Sequence, residues 1–414
     1  MTFVRYAVLA VASAYLTLSL PAHAAERLTL NAAFAKAAEA DPSLPAASAR
    51  LDAADATIRQ SDTSPNPSLG LEVENFAGTG AVSGFDETET TFSYQQPIEL
   101  GGKRDARIGL ATRERDAASA RTLIARLNLY EKVQLAYSEA LAADAAIGLA
   151  KERLEVARGL AKELGRRIAS ARDPEFAGER AQAQMADAQL GVEQAQLSAK
   201  AAKERLASYW GGPANFQLDP KTFETTAIPT MEADSGLGAD IAVLEAERLA
   251  AAARVDVERS KSYQDPTLSL GVRHFGRNDD VAVVIGGSIP LSIFNDNSGN
   301  IDRAAAEQRA ADLDLATYRI GREREIARLR AQLQISAAEV RQIDREIIPS
   351  STRAVSLVRD GFARGAFGYL DVIEAQNALT DMRARRIAAL KNFHADKAAL
   401  ERLLGTHMNL ARAE

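Results

Sequence analysis

The chain has no cysteine in its 414 residues. That excludes disulfides, thiolate metal sites, thiol nucleophiles and a lipid-modified cysteine. Aromatic residues are scarce at 6%, which suits long helices packed through small side chains better than one large globular core. An excess of positive charge is missing too. Lys and Arg number 50 against 56 Asp and Glu, a net charge of −6. With no basic stripe, no nucleic-acid partner is expected. Beyond the N-terminus, no apolar run approaches the roughly 18–20 residues of a membrane helix. Catalytic patterns are also lacking. His23, His274, His394 and His407 are scattered, and no HExxH, paired-ligand cluster or nucleophile elbow occurs. Gly101-Gly102 and Gly286-Gly287 lack the lysine and serine of a phosphate-binding loop. The methionines form no soft-metal cluster. No catalytic residue, cofactor or metal site is therefore expected, and the protein is not expected to be an enzyme.

What is present begins with a secretory signal over residues 1–24. Arg5 precedes the apolar run 6–20, and Pro21-Ala22-His23-Ala24 supplies a small-x-small cleavage site. An exported chain without a membrane helix can cross a membrane only with strands. Helical periodicity then runs from Leu28, breaks at Asp41-Pro42, and resumes over 46–58.

Strand-like alternation follows. In 68–76, Leu69, Leu71 and Val73 face one way, and Ser68, Gly70, Glu72 and Glu74 the other. In 88–96, Thr90, Phe92 and Tyr94 oppose Glu89, Thr91, Ser93 and Gln95. Runs of about nine residues fit tilted membrane-spanning strands. Pro97 and the pair Gly101-Gly102 then switch the period. A helix is predicted over about 103–170, without proline after Asp105, and Leu123, Leu127, Tyr130, Gln134, Tyr137 and Leu141 form a heptad seam. At 1.5 Å per residue it would reach roughly 95–100 Å. Such a helix cannot fold inside a globule. Arg172-Asp173-Pro174 ends it, and 176–209 returns antiparallel.

Residues 213–236 read as a loop-like linker, after which the plan repeats. The first unit covers 25–212 and the second 237–410. Pro266-Thr267-Leu268 echoes Pro67-Ser68-Leu69. Strands are predicted at 267–275 and 280–289, with Leu268, Leu270, Val272, Val281, Val283 and Ile285 on one face and Arg273 on the other. Pro290 matches Pro97. Long helices are predicted over about 299–365 and 369–404, with Pro349 kinking the first of them. Thr406 onward reads as a short tail. Four strands cannot close a barrel, and open edges in lipid would leave backbone groups unpaired. Several chains must contribute: two would give eight strands, three would give twelve.

This order of features resembles the TolC-like outer-membrane efflux proteins. The resemblance rests on the duplicated plan and on Pro-Asn-Pro-Ser-Leu and Asp-Pro-Thr-Leu ahead of the strands. It rests further on Gln96-Pro97-Ile98-Glu99-Leu100-Gly101-Gly102-Lys103-Arg104 and on Gly365-Ala366-Phe367-Gly368-Tyr369-Leu370-Asp371. The Gln-Pro-Ile-Glu-Leu-Gly-Gly-Lys-Arg stretch is most similar to the CzcC-type branch serving heavy-metal pumps of the resistance-nodulation-division (RND) class.

The resemblance implies a mainly helical fold with membrane β-structure. It implies a homotrimer whose twelve-stranded β-barrel in the outer membrane continues into a periplasmic α-helical barrel. It implies a periplasmic membrane-fusion adaptor, an inner-membrane RND transporter and outer-membrane lipid as partners, and heavy-metal cations as cargo. The lumen candidates are Glu72, Glu74, Glu89, Gln95 and Arg273. The strand-to-helix hinges are Pro97, Gly101, Gly102 and Pro290. Asp173, Asp360, Arg364 and Asp371 are candidates for the periplasmic gate or for adaptor docking. Asp173 and Asp371 are equally read as helix caps. Lys103 and Arg104 sit against the dipole at a helix start, which points to neighbouring subunits or lipid head groups as their partners. The alternatives are a channel for drug efflux or type I protein secretion, and a soluble periplasmic coiled-coil adaptor.

Overall fold

The computed structural model describes residues 26–229 and 238–413; the expected signal at 1–24 lies outside them. In chain order the first half comprises β1 (Glu26–Leu28), α1 (Leu30–Ala40), α2 (Ser43–Ser61), β2 (Ser68–Glu74), β3 (Glu89–Pro97), α3 (Lys103–Ala169) and α4 (Glu175–Ala207). Between the halves stand β4 (Phe216–Leu218) and α5 (Pro220–Glu224). The second half comprises α6 (Ala239–Ser260), β5 (Thr267–Phe275), β6 (Asp280–Ser288), α7 (Ser298–Gln342), α8 (Ile348–Ala363), α9 (Tyr369–Leu404) and α10 (Met408–Ala413).

β2, β3, β5 and β6 make one antiparallel sheet in that order, with β2 and β6 as its edges. The register keeps the two faces chemically separate. Leu69, Tyr94, Leu270 and Ile285 form one cross-strand row, and Leu71, Phe92, Val272 and Val283 form the next. The other face carries Glu72, Thr91, Arg273 and Ala282 in one row, and Ser68, Gln95, Ser269 and Gly286 in another. The apolar face is the exposed one: Leu69 is 86% accessible and Ile285 81%, whereas Thr91 is 5%. That inverts a soluble sheet, which hides its apolar side. The polar face is also crowded. A Cβ on Gly286 would lie 2.6 Å from the Ser269 hydroxyl.

Below the sheet the helices form one elongated body. Among the described residues its largest buried cluster includes Phe34, Tyr130, Tyr137, Leu141, Leu206 and Phe216. The Phe34 and Tyr130 rings stack at 4.6 Å, and the Tyr137 hydroxyl donates to the Leu28 carbonyl at 2.9 Å. Arg402 on α9 ties three elements together: it donates to Asp240 on α6 at 2.8 Å and to Asn128 on α3 at 2.8 Å. Among the described residues no helix is long and apolar enough to cross a membrane.

Several boundaries differ from the sequence reading, each for a local reason. Leu28 belongs not to a helix but to β1, which pairs in parallel with β4. The 213–236 linker is therefore partly ordered, with β4 and α5 inside it; residues 230–237 lie outside the described chain. The helix expected over 46–58 spans Ser43–Ser61. β2 stops at Glu74, because Asn75 and Ala77 turn to positive φ, at 56° and 54°. β3 runs one residue later than expected and includes Pro97, and β6 ends at Ser288. The helix expected over 299–365 is divided by a π-turn at Ile343–Ile347 and ends at Ala363. Pro349 has no N–H, and its ring crowds the carbonyl of Arg345; widening the turn just ahead of it relieves both. The tail expected from Thr406 contains α10, with Ala411 buried and its carbonyl accepting from Arg126.

Candidate functional site

Three regions carry the candidate residues. The first is the polar face of the sheet. Arg273, in mid-β5, faces β3 and reaches across it. Its guanidinium donates to Glu89 at 2.8 Å and to the Thr91 hydroxyl at 2.9 Å, and lies 3.1 Å from Glu74. Alternation put these residues on one face, and strand pairing brings them into contact. Glu72 and Gln95 share the face without joining the cluster. Asp280 shares it too, in the row of Glu74 and Glu89. Sequence reading missed Asp280 because it abuts the turn. Four carboxylates against one arginine leave this surface negative.

The second region is the strand-to-helix joint. Pro97 closes the β3–β5 ladder opposite Thr267. Beyond it, the Ile98 N–H donates to the Pro266 carbonyl at 2.9 Å, and the Leu100 N–H to Asp265 at 2.9 Å. Gly101 and Gly102 both adopt positive φ, at 73° and 70°. At Gly101 a Cβ would also strike the Tyr263 ring at 2.4 Å, so the ring lies flat on bare backbone. Lys103 and Arg104 do not need external partners. Lys103 pairs with Asp265 at 2.6 Å and Arg104 with Asp62 at 2.8 Å. Those carboxylates offset the unfavourable position at the helix start. Pro290 lies in the exposed segment after β6.

The third region is the far end of the helices, where α3 turns into α4 and α8 into α9. Asp173 is not a plain cap. It accepts from the Arg167 side chain, and both side chains are largely shielded. Arg167 also donates to the Phe362 carbonyl at 2.6 Å and lies 4.2 Å above the Phe362 ring. Asp371 does cap its helix, accepting from the Gly368 N–H at 2.8 Å. Asp360 and Arg364 are exposed, and among the described residues neither makes a side-chain hydrogen bond or ion pair. Arg167 was missed because its partners come from both halves. The only local signal was a basic residue in the last helical turn six positions before Asp173.

At about 1.5 Å per residue, α3 is roughly 100 Å long. A sheet apolar outside and charged within, continued by helices of that length, is the architecture of a TolC-like outer-membrane channel. The chain belongs to the outer membrane efflux protein family, whose profile matches residues 33–212 and 238–406. It is similar to the cobalt-zinc-cadmium resistance protein CzcC of Cupriavidus metallidurans, 32% identical over 394 residues, covering 93% of this chain and 92% of that one. It is also similar to the nickel and cobalt resistance protein CnrC of the same organism, 29% identical over 300 residues, 72% of this chain and 71% of that one. Its fold matches the crystal structure of the outer membrane protein VceC from Vibrio cholerae. The TM-score is 0.74 at 23% identity, covering 91% of this chain and 96% of that one.

Proposed function

We propose that this chain is the outer-membrane exit duct of a tripartite RND-type system exporting heavy-metal cations. The observation that carries the reading is the inverted sheet. Its apolar rows are the most exposed large side chains of the β-region, and its shielded face holds Arg273 among carboxylates. Lipid outside and water inside account for both. The sheet has two open edges, which lipid does not tolerate. Three copies, each giving four strands, would close a twelve-stranded barrel, and the helices would continue it into the periplasm. Residues 25–212 and 237–410 form its two repeats, preceded by a removed signal at 1–24. With no cysteine to lipidate, the barrel itself holds the protein in the membrane.

Glu72, Glu74, Glu89, Gln95 and Arg273 line the lumen in this reading. Its negative balance favours passage of cations without a strong site. Asp173, Asp360, Arg364 and Asp371 belong to the periplasmic tip, where gate and adaptor contacts are made. The free charges of Asp360 and Arg364 suit docking, and the bonded ones of Asp173 and Asp371 suit closure. Cargo choice and energy reside in the inner-membrane partner. The names of CzcC and CnrC support divalent cobalt, zinc, cadmium and nickel as cargo.

The test is deletion and complementation. Loss of the gene is expected to lower tolerance to one or more of these cations, and the chain supplied in trans to restore it. Unchanged metal tolerance with lost drug tolerance or lost protein secretion would reject the metal assignment. Extraction without detergent would reject the channel.

A further inference from the structure

One strand-to-helix joint is complete within the chain and the other is not. At the first, the segment leaving β3 is clasped by the segment leading into β5. Ile98 and Leu100 are hydrogen-bonded to Pro266 and Asp265, and the Tyr263 ring covers Gly101. Among the described residues, the segment leaving β6 has no such clasp. Ile289, Leu291, Ile293 and Phe294 are 63%, 76%, 70% and 101% exposed. Only the helix start beyond them is tied, through Asn297 to Glu258 at 2.7 Å. Four large apolar side chains within six residues, left in water at a sheet edge, mark an interaction surface.

We infer that this segment docks onto residues 62–68 of a second copy of the chain, with Phe294 seated over Ser64 where Tyr263 sits over Gly101 in the internal joint. The inference rests on the channel reading and adds the contact that joins neighbouring subunits. The repeat supplies the argument. Pro290 stands in the place of Pro97, and Ser68 in the place of Thr267, each opening its strand. Carrying the Pro97–Thr267 pairing across therefore sets Pro290 opposite Ser68. The free edges β6 and β2 are then antiparallel, and their faces agree. Ile289 meets Leu69 and Ile285 meets Val73 on the apolar side; Gly286 meets Glu72 on the polar side. A slip of one residue would set Ile285 against Glu72 or Glu74, and Ile289 against Ser68 or Gly70.

Beyond the ladder the sizes are exchanged. The internal joint uses a large Tyr263 against a bare Gly101; the equivalent positions are a small Ser64 against a large Phe294. One aromatic ring is supplied to each joint, from opposite partners. Asn66 takes the place of Asp265, with a side-chain oxygen available to the Ile293 N–H. Ser64 and Asn66 are both exposed, and among the described residues their side chains make no hydrogen bond.

The lack of native cysteine makes paired replacement clean. Full-length protein in detergent, carrying Ser64→Cys with Phe294→Cys, is expected to give covalent dimers and trimers under copper-phenanthroline oxidation. Leu69→Cys with Ile289→Cys should do the same, since paired strands bring Cα atoms within disulfide range. Leu71→Cys with Ile289→Cys, two residues out of register, should stay uncrosslinked. Exchange of sizes gives a second readout. Phe294→Gly is expected to weaken trimer association about tenfold, as loss of a buried aromatic anchor does. Adding Ser64→Tyr should recover it by copying the internal joint.

Trimers that form without crosslinking at 64 and 294, or that crosslink only in the shifted pair, would overturn the joint and leave the exit duct standing. Phe294→Trp, in a Trp210→Phe background, quenched by brominated lipid would overturn it in favour of a lipid contact. A monomeric native protein would overturn both the joint and the channel.

Discussion

Between α3 and α4 the Arg172 N–H returns to the Arg167 carbonyl at 2.9 Å; between α8 and α9 the Ala366 N–H returns to Gly361 at 2.8 Å. Ala171 and Gly365, the residues just before, both take positive φ, at 54° and 80°. These are two Schellman turns on one backbone path. Their side-chain closures are unlike. Arg167 and Asp173 close the first turn as a shielded ion pair. Their counterparts in the second are Gly361 and Phe367, where an aromatic ring folds over bare helix. Duplication conserved the path and left the fastening free. The polar fastening does more, because Arg167 has hydrogen-bonding groups left over and spends one on Phe362 of the other half. One arginine thus holds its own turn and couples the two hairpins.

Removing that arginine breaks the contrast most directly. Arg167→Ala strands Asp173 in a site where both side chains are only 16–17% exposed, and frees the Phe362 carbonyl. The expected local loss is about 2–4 kcal/mol. Chymotryptic cleavage at Phe362 and Phe367 should rise at fixed temperature; unchanged cleavage would show that the second turn is closed without help from the first. Arg167→Lys should recover little, since one ammonium cannot serve Asp173, the carbonyl and the ring together. Gly361→Ala attacks the apolar closure. Its Cβ would fall 2.1 Å from the Phe367 ring, so the ring must leave, at a cost of about 1–3 kcal/mol. Cleavage at Phe367 should rise while the Arg167 contact to Phe362 persists. Equal disruption of both turns would mean that they are not independently closed.

How much of this was legible depends on the range of the force involved. Alternation and the repeated Pro-Thr-Leu entry placed β5 at Thr267–Phe275, and the glycines before it and the repeat placed α9 at Tyr369–Leu404, since these signals lie within or beside the element itself. Three-residue strands such as β1 and β4 have no period to read, and each exists only because the other is near. Pro349 announced a disturbance, but its form as a π-turn depends on which carbonyls can move. On the polar face of the sheet, alternation gave the side of Arg273, while its ties to Glu74 and Glu89 needed the register. At the α3–α4 turn, Asp173 was visible as a charge beside a proline. Arg167 was not, because it acts on Phe362, 195 residues away. The Tyr263 clasp was hidden for the same reason.

A smaller effect sharpens the backbone comparison. Ala171 holds the left-handed conformation that Gly365 holds without steric cost. Ala171→Gly should stabilise the first turn by about 1 kcal/mol, and Gly365→Ala should destabilise the second by a similar amount. Opposite shifts in unfolding midpoint would establish that the turns differ only in side chain. A loss from Ala171→Gly would mean that the alanine methyl has a packing role that its exposure does not reveal.

The returning helices offer the last contrast, and the smallest expected effect. Lys200 on α4 is 72% exposed and pairs with Glu204 at 3.8 Å. Its counterpart on α9 is His394, buried beneath α5, with its Nε2 bonded to the Phe223 carbonyl at 2.8 Å and its ring stacked on Phe223 at 5.4 Å. That bond requires Nε2 to carry the proton and donate. Burial holds the imidazole below its ordinary value of 6.5, with Lys397 adding to the effect and the Phe223 carbonyl and Glu401 opposing it. With the folded value depressed, the undocked state binds more protons as pH falls below 6.5. The stability contribution is therefore complete above that pH and is lost on acidification towards the folded value. Amide exchange in α5 should quicken between pH 7 and pH 5 while α4, which carries an exposed lysine in place of the buried histidine, stays unchanged. His394→Gln should flatten the dependence, since glutamine can donate to Phe223 without titrating. Equal quickening of α4 and α5 would assign the acid response to the whole helical body rather than to this histidine.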